Sequence, residues 1–216
     1  KLTSLVSNNK AFVQRSQIIG KNMKIKPFVK DYLIRLKQVL DDIDVDVISD
    51  IIDSFEETII NNSRIYIIGN GGSSATASHM VNDLGAGLRR RDIINFDVTS
   101  LGDNSPVITA IANDIGYENI FYMQIKGNIS ANDVVVAISC SGDSPNIIKA
   151  VDYAKDLGCK IIGVTGFKGG HLKKISNINF HVNAPEGEYG LVEDAHMILD
   201  HIIYSYYVQT QSNFNG

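Results

Sequence analysis

Apolar residues recur along the chain in two alternating rhythms. Phe28, Tyr32, Leu33, Leu36 and Leu40 fall at helical spacing, predicting a helix over residues 27–42 with Pro27 in its first turn, where a missing N–H costs nothing. A second helical pattern, Val45, Val47, Ile48, Ile51, Ile52, Phe55 and Ile59, ends at the polar Asn61-Asn62-Ser63. The period then changes. Ile65-Tyr66-Ile67-Ile68 is a short unbroken apolar run, followed at once by Gly69-Asn70-Gly71-Gly72-Ser73 and a helical stretch rich in Ala and Ser. Such a run between turn residues is the pattern of a strand buried on both faces. The same grammar returns at residues 95–99, 134–139 and 160–165, each followed by small residues, and residues 178–182 and 189–209 supply a fifth strand and a closing helix. Repeated strand–helix units predict an α/β fold, a three-layer sandwich with a five-stranded parallel sheet between helices and ligands beyond the carboxyl ends of the strands. Residues 1–26 show weak periodicity. We read them as an N-terminal extension and residues 27–216 as one domain that includes the two leading helices.

Composition narrows the classes of partner. With 216 residues, 44% of them apolar, the chain can bury one substantial core. A net charge of -4 offers no broad basic surface, so no nucleic-acid partner is expected. Only Cys140 and Cys159 are present, and no apolar run is long enough to span a bilayer, so the expectation is a cytoplasmic protein with no membrane partner. The first residue is Lys1 rather than Met, as expected for a processed or trimmed start.

Two small-residue loops carry the candidate chemistry. Gly69-Asn70-Gly71-Gly72-Ser73 follows a strand and opens a helix, so backbone amides and the positive helix end face one crevice and favour an anion. The plainer reading, a tight turn with glycines at positive φ, stands beside it. The second loop, Ser139-Cys140-Ser141-Gly142-Asp143-Ser144-Pro145, also joins strand to helix and offers three uncharged hydroxyls to a phosphate. Its plainer reading is N-capping by Ser144 with Pro145 at the first helical position. No nucleotide cofactor is expected. Ser74 stands where a dinucleotide fingerprint needs its third glycine, and the Walker lysine and hydroxyl pair is missing.

With these loops the sequence resembles the SIS (sugar isomerase) family, and within it the phosphoheptose isomerase branch. The matching segments are Gly69 to Ser73 with His79 downstream, Leu101 to Gly116 with Asp103 and Asn113-Asp114-Ile115-Gly116, Ser139 to Asn146, Gly163-Val164-Thr165-Gly166 with Gly169-Gly170, and Glu193 to His201. The resemblance implies a parallel sheet of flavodoxin-like order and a homotetramer with active sites between subunits. It implies an aldose–ketose isomerase acting on sedoheptulose 7-phosphate, in heptose biosynthesis for lipopolysaccharide or capsule. Ser139, Ser141, Ser144 and Ser73 would hold phosphate, while Asn70, Gly71, Gly72, Asp103, Asn104 and Glu193 would complete the substrate site.

The same resemblance implies a chemical pair. Isomerisation moves a proton between neighbouring carbons through an enediol, so a base and an acid must flank it. The family's base is a glutamate and its acid a histidine; the matching positions are Asp83, one methylene shorter, and His201. Glu193 stands where the branch usually has glutamine. Some members bind zinc at the four corresponding positions, here His79, Asp83, Glu193 and His201, all competent ligands. His79 and Asp83, four apart, and Glu193 and His201, eight apart, each share a helical face. Two other readings stay open: an isomerase selective for a different sugar phosphate, including an amino sugar read by Glu193, and a non-catalytic module that senses a sugar phosphate or binds a partner. His171, His181 and His196 have no matching role and are read as structural or surface residues.

Overall fold

The computed structural model describes residues 24–212, with side chains to Thr210. In chain order it has helices α1 (Ile25–Asp41) and α2 (Val45–Ile60), strand β1 (Ile65–Gly69), helix α3 (Gly72–Met80) running into a π-helix (Val81–Gly87), strand β2 (Val98–Ser100), helix α4 (Ser105–Ile115), a 3-10 turn (Tyr117–Asn119) and helix α5 (Tyr122–Ile125). Strand β3 (Val134–Ser139), helix α6 (Pro145–Asp156), strand β4 (Lys160–Gly166), helix α7 (Gly170–Ile175), strand β5 (Ile178–Val182) and helix α8 (Tyr189–Ser212) complete it. All four strand pairings are parallel, in the order β2-β1-β3-β4-β5. That is the expected flavodoxin-like order.

By compactness the chain separates into residues 1–38 and 39–216. Residues 1–23 of the expected extension lie outside the described residues. In the first unit, α1 carries an Arg35–Asp31 ion pair at 2.9 Å and leaves Phe28, Val29, Leu33 and Ile34 exposed. In the second unit the sheet separates two apolar clusters. Ile65 and Ile67 of β1, with Val134, Val136 and Ile138 of β3, face Ile51, Phe55, Leu199 and Ile203 of α2 and α8. Tyr66 and Ile68, with Val135 and Ala137, face Ile147, Ala150 and Val151 of α6. Burial on both sides of the period-two alternation is why the strands read as unbroken apolar runs.

The second strand differs from the expected 95–99. Pairing with β1 starts only at Ile65↔Val98. Before it, Phe96 turns into the core, and the Asp97 carboxylate accepts from Arg64 Nε at 2.7 Å. The π-helix was not anticipated either. A methyl group on Gly85 would lie 3.2 Å from Val98 Cγ1, and one on Gly87 would lie 3.1 Å from the Asn82 carbonyl and 3.2 Å from Tyr204 Cε2. Small residues let this wide turn press against β2 and α8.

Helix α8 is fixed to the sheet by His196, which is 1% exposed. Its Nε2 lies 3.2 Å from the Thr165 carbonyl, an acceptor only, so the proton sits on Nε2. Burial pulls its pKa down to about 4. The unfolded chain therefore binds a proton between about pH 6.5 and pH 4 that the native state refuses, and stability falls as pH drops through that window. His196→Gln retains an N–H donor and has no charge to gain. Relative to this variant, the native chain is expected to lose about 3 kcal/mol between pH 7 and pH 4, read from urea midpoints measured side by side. Parallel curves for the two proteins overturn the assignment.

Candidate active site

The first loop leaves β1 at Gly69 and turns at Gly71, whose φ of 53° and ψ of -121° suit glycine. Helix α3 then starts without a side-chain cap; Ser74 N and Ala75 N donate to the Gly71 carbonyl at 3.1 and 3.2 Å, and the amides of Gly72 and Ser73 precede them at the helix start. Ser73 is buried near the Cys140 thiol of the second loop. Burial and then the Glu193 carboxylate push that thiol up to about 11, leaving it inert.

In the second loop, Gly142 adopts φ of 71°, and a side chain there would also run into the Gly169 carbonyl, so both the turn and the close approach require glycine. Ser139 Oγ accepts from Gly142 N at 3.1 Å, and Ser141 Oγ accepts from Asp143 N at 3.3 Å. Ser144 makes no side-chain cap bond; its hydroxyl lies 3.4 Å from Ser139 Oγ. Ser139 and Ser141 spend acceptor capacity on the loop and keep O–H donors for a phosphate. The glycine pair after β4 supports this shape, with Leu172 N donating to the Gly142 carbonyl at 2.9 Å and His171 N to Asp143 Oδ1 at 2.7 Å.

The two loops are joined by an amide pair. Asn70 Nδ2 donates to Asn146 Oδ1 at 2.9 Å, and Asn146 Nδ2 donates back to Asn70 Oδ1 at 2.8 Å. The Tyr117 hydroxyl adds a bond to Asn70 Oδ1 at 2.9 Å. With Oδ1 doubly occupied, Asn70 keeps an N–H, rather than an acceptor, for a ligand. Asp103 is also engaged: its Oδ1 accepts from Ser78 Oγ and, at 3.1 Å, from Ser100 Oγ. Asn104 caps α4, accepting from Val107 N at 3.3 Å. Both border a cleft of about 560 Å³ at the end of β2, shared with Thr99, Ser105 and Gln124.

Helices α3 and α8 run side by side in the same sense. Glu193 lies against Gly72, His201 against His79 and, at the end of the π-helix, Tyr204 against Gly87. His79 Nε2 is 3.2 Å from His201 Nε2 and 3.5 Å from Asp83 Oδ2. Asn82 Nδ2 donates to Asp83 Oδ1 at 2.8 Å, steadying the carboxylate. Three of the four expected ligands thus meet. Glu193 does not join them, because eight residues of helix rise about 12 Å; sharing a face does not bring two side chains to one point. A carboxylate from the preceding residue takes the fourth place. Asp200 Oδ2 is 3.9 Å from His79 Nε2, and donor atoms of His79, Asp83, Asp200 and His201 all lie within 4.8 Å of one another. Burial, with Asp83 nearby, pushes the Asp200 carboxyl up to about 7.

Sequence reading missed Asp200, and Asn146 and Tyr117 as the partners of Asn70. The signal for Asp200 is an acid within the buried stripe Val192, Ala195, Leu199, Ile203 and Tyr207 of α8. His171 is exposed beside Asp152, and His181 Nδ1 lies 3.0 Å from Thr165 Oγ1, away from the cluster.

A phosphoheptose isomerase of Aliarcobacter butzleri is 36% identical over 147 residues, 68% of this chain and 76% of that protein. One from Helicobacter pylori is 37% identical over 147 residues, 68% of this chain and 75% of that protein. Among solved structures, the phosphoheptose isomerase of Neisseria gonorrhoeae superposes with a TM-score of 0.75 at 26% identity, covering 86% of this chain and all of that one. That of Francisella tularensis, at 24% identity and a TM-score of 0.77, shares the fold over 87% of this chain. The SIS domain model matches residues 28–166, and with these relatives it establishes that the chain belongs to the SIS domain family, in its phosphoheptose isomerase branch.

Proposed function

We propose that the protein is an aldose–ketose isomerase that converts sedoheptulose 7-phosphate to an aldoheptose 7-phosphate. The observation that carries this reading is the convergence of Asp83, His79 and His201 on one point, on helices that also carry the first loop and Glu193. Ser139, Ser141 and Ser144 hold the phosphate through their hydroxyls, with Gly71, Gly72 and Ser73 supplying the amides of the first loop. Asn70 donates to the sugar chain, and Asp103 and Asn104 line its path.

Asp83 takes the proton from C1 of the ketose while His201, whose Nε2 belongs to the cluster with His79, gives one to the C2 oxygen through Nδ1, forming the enediol. Return of a proton to C2, with loss of the O1 proton, leaves the aldehyde, so atoms and electrons balance without an external oxidant. His79, Asp83 and His201 fit zinc: a tetrahedral ion with ligands 2.0–2.2 Å away spaces donor atoms about 3.4 Å apart, and the observed separations are 3.2 and 3.5 Å. When bound, zinc polarises the substrate carbonyl.

We also propose a homotetramer in the cytoplasm, within heptose biosynthesis. Its support is the exposed apolar side chains of α1, the exposed Val45, Ile59 and Ile60 of α2, and two buried free thiols. Among the described residues no helix is long and apolar enough to cross a membrane.

The test is turnover by metal-stripped and zinc-reconstituted protein of sedoheptulose 7-phosphate, beside C5 and C6 ketose phosphates and an amino sugar phosphate. Zinc-dependent conversion of the heptulose is expected. Preference for the amino sugar moves the substrate to the class that the Glu193 carboxylate beside Gly72 would read, and no turnover of any sugar overturns the catalytic reading.

A further inference from the structure

Asp83 is asked to do two things in the reaction above, to accept a proton from carbon and to ligate a cation. The surroundings of Asp200 separate those duties. Its side chain is fully buried, and neither carboxylate oxygen has a hydrogen-bond partner among the described residues. A buried carboxylate without donors is costly, and a second carboxylate, Asp83, within the same cluster raises that cost. A cation reverses both penalties. The imidazoles of His79 and His201 face the same point, so two nitrogens and two carboxylate oxygens converge, their charge of two balancing a divalent ion.

We propose that Asp200 is a ligand of a divalent transition-metal ion held with His79 and His201, leaving Asp83 as the carboxylate that meets substrate. This rests on the isomerase reading for the role of Asp83, whereas the metal site stands on its own geometry. Exposure assigns the two roles. Asp200 is 0% exposed and out of a sugar's reach, whereas Asp83 is 9% exposed and oriented by Asn82. Two imidazoles and a carboxylate form a set that suits zinc, cobalt, iron or manganese over magnesium and calcium, which prefer all-oxygen shells. Glu193, farther up α8, stays at the sugar end.

Asp200→Asn removes the charge and keeps the shape. In metal-stripped protein its melting temperature is expected to equal or exceed that of the native chain, because an unpaired buried acid is gone. Zinc affinity by calorimetry, measured without substrate, is expected to fall at least about a hundredfold, and the zinc-induced rise in melting temperature to vanish. Asp83→Asn is expected to lose less zinc affinity than Asp200→Asn. A purely structural Asp200 gives the opposite pattern, a destabilised stripped protein that binds zinc as tightly as before, and that result overturns the proposal. Asp200→Cys, loaded with cobalt, supplies an independent readout should the Asn variant not fold. A thiolate-to-cobalt charge-transfer band in the near ultraviolet, absent from the native protein, is expected only if residue 200 touches the metal; a folded Cys variant without it overturns the proposal. Neither readout uses turnover, so loss of isomerase activity and loss of metal binding are scored separately.

Discussion

Replacing Asp83 by Asn is expected to lower kcat by about 10²- to 10⁴-fold, the usual worth of a positioned proton-transfer group, with KM changed only a few-fold. The amide cannot take a proton from carbon, yet it occupies the same space and can keep the contact with Asn82. Asp83→Glu is the sharper comparison. The native carboxylate already reaches within 3.5 Å of His79 Nε2, in a cluster closed by His201 at 3.2 Å. A further methylene displaces the oxygen by about 1 Å, which can cost on the order of a hundredfold. Single-turnover and steady-state rates of both variants check this. Activity that rises in Asp83→Glu would mean that the shorter acid had disabled the site, favouring a sensing module.

The largest effect on stability is expected at Phe96, which is 1% exposed and packs edge-on between Phe55, with centroids 6.1 Å apart, and Tyr207, at 5.4 Å. These rings join α2, the segment leading into β2, and α8. Phe96→Ala removes both ring contacts and leaves a cavity that rigid neighbours cannot fill, costing about 3–5 kcal/mol. A lowered urea midpoint with unchanged slope is the expected signature. A loss below about 1 kcal/mol would mean that the three elements repack without the ring.

Most of this fold is legible where a residue's burial and its period agree. Strands β3 and β5 keep their expected limits because both faces of β3 are covered and β5 ends where its pairing with β4 ends. Strand β2 is shorter than its apolar run because Phe96 belongs to the core and Asp97 to an ion pair. The family resemblance brought His79, Asp83 and His201 into one candidate site together with Glu193, and helical spacing could not show that Glu193 stands apart from the other three. Periodicity reports the face of a helix and is silent about height along it. Asp200 went unread for a related reason. One acid in an apolar stripe has no meaning until its lack of partners is visible, and that lack is a property of three dimensions.

The paired amides of Asn70 and Asn146 have a mechanical consequence. Each holds both ends of the other, so on the proposed reading the loop assigned to phosphate and the loop assigned to the sugar move as one body. Energy gained at the inert end of a substrate can then be spent on alignment at the reactive end. The phosphate becomes a handle that works the jaws, and a sugar without it should be not only held more weakly but also turned over more slowly once held.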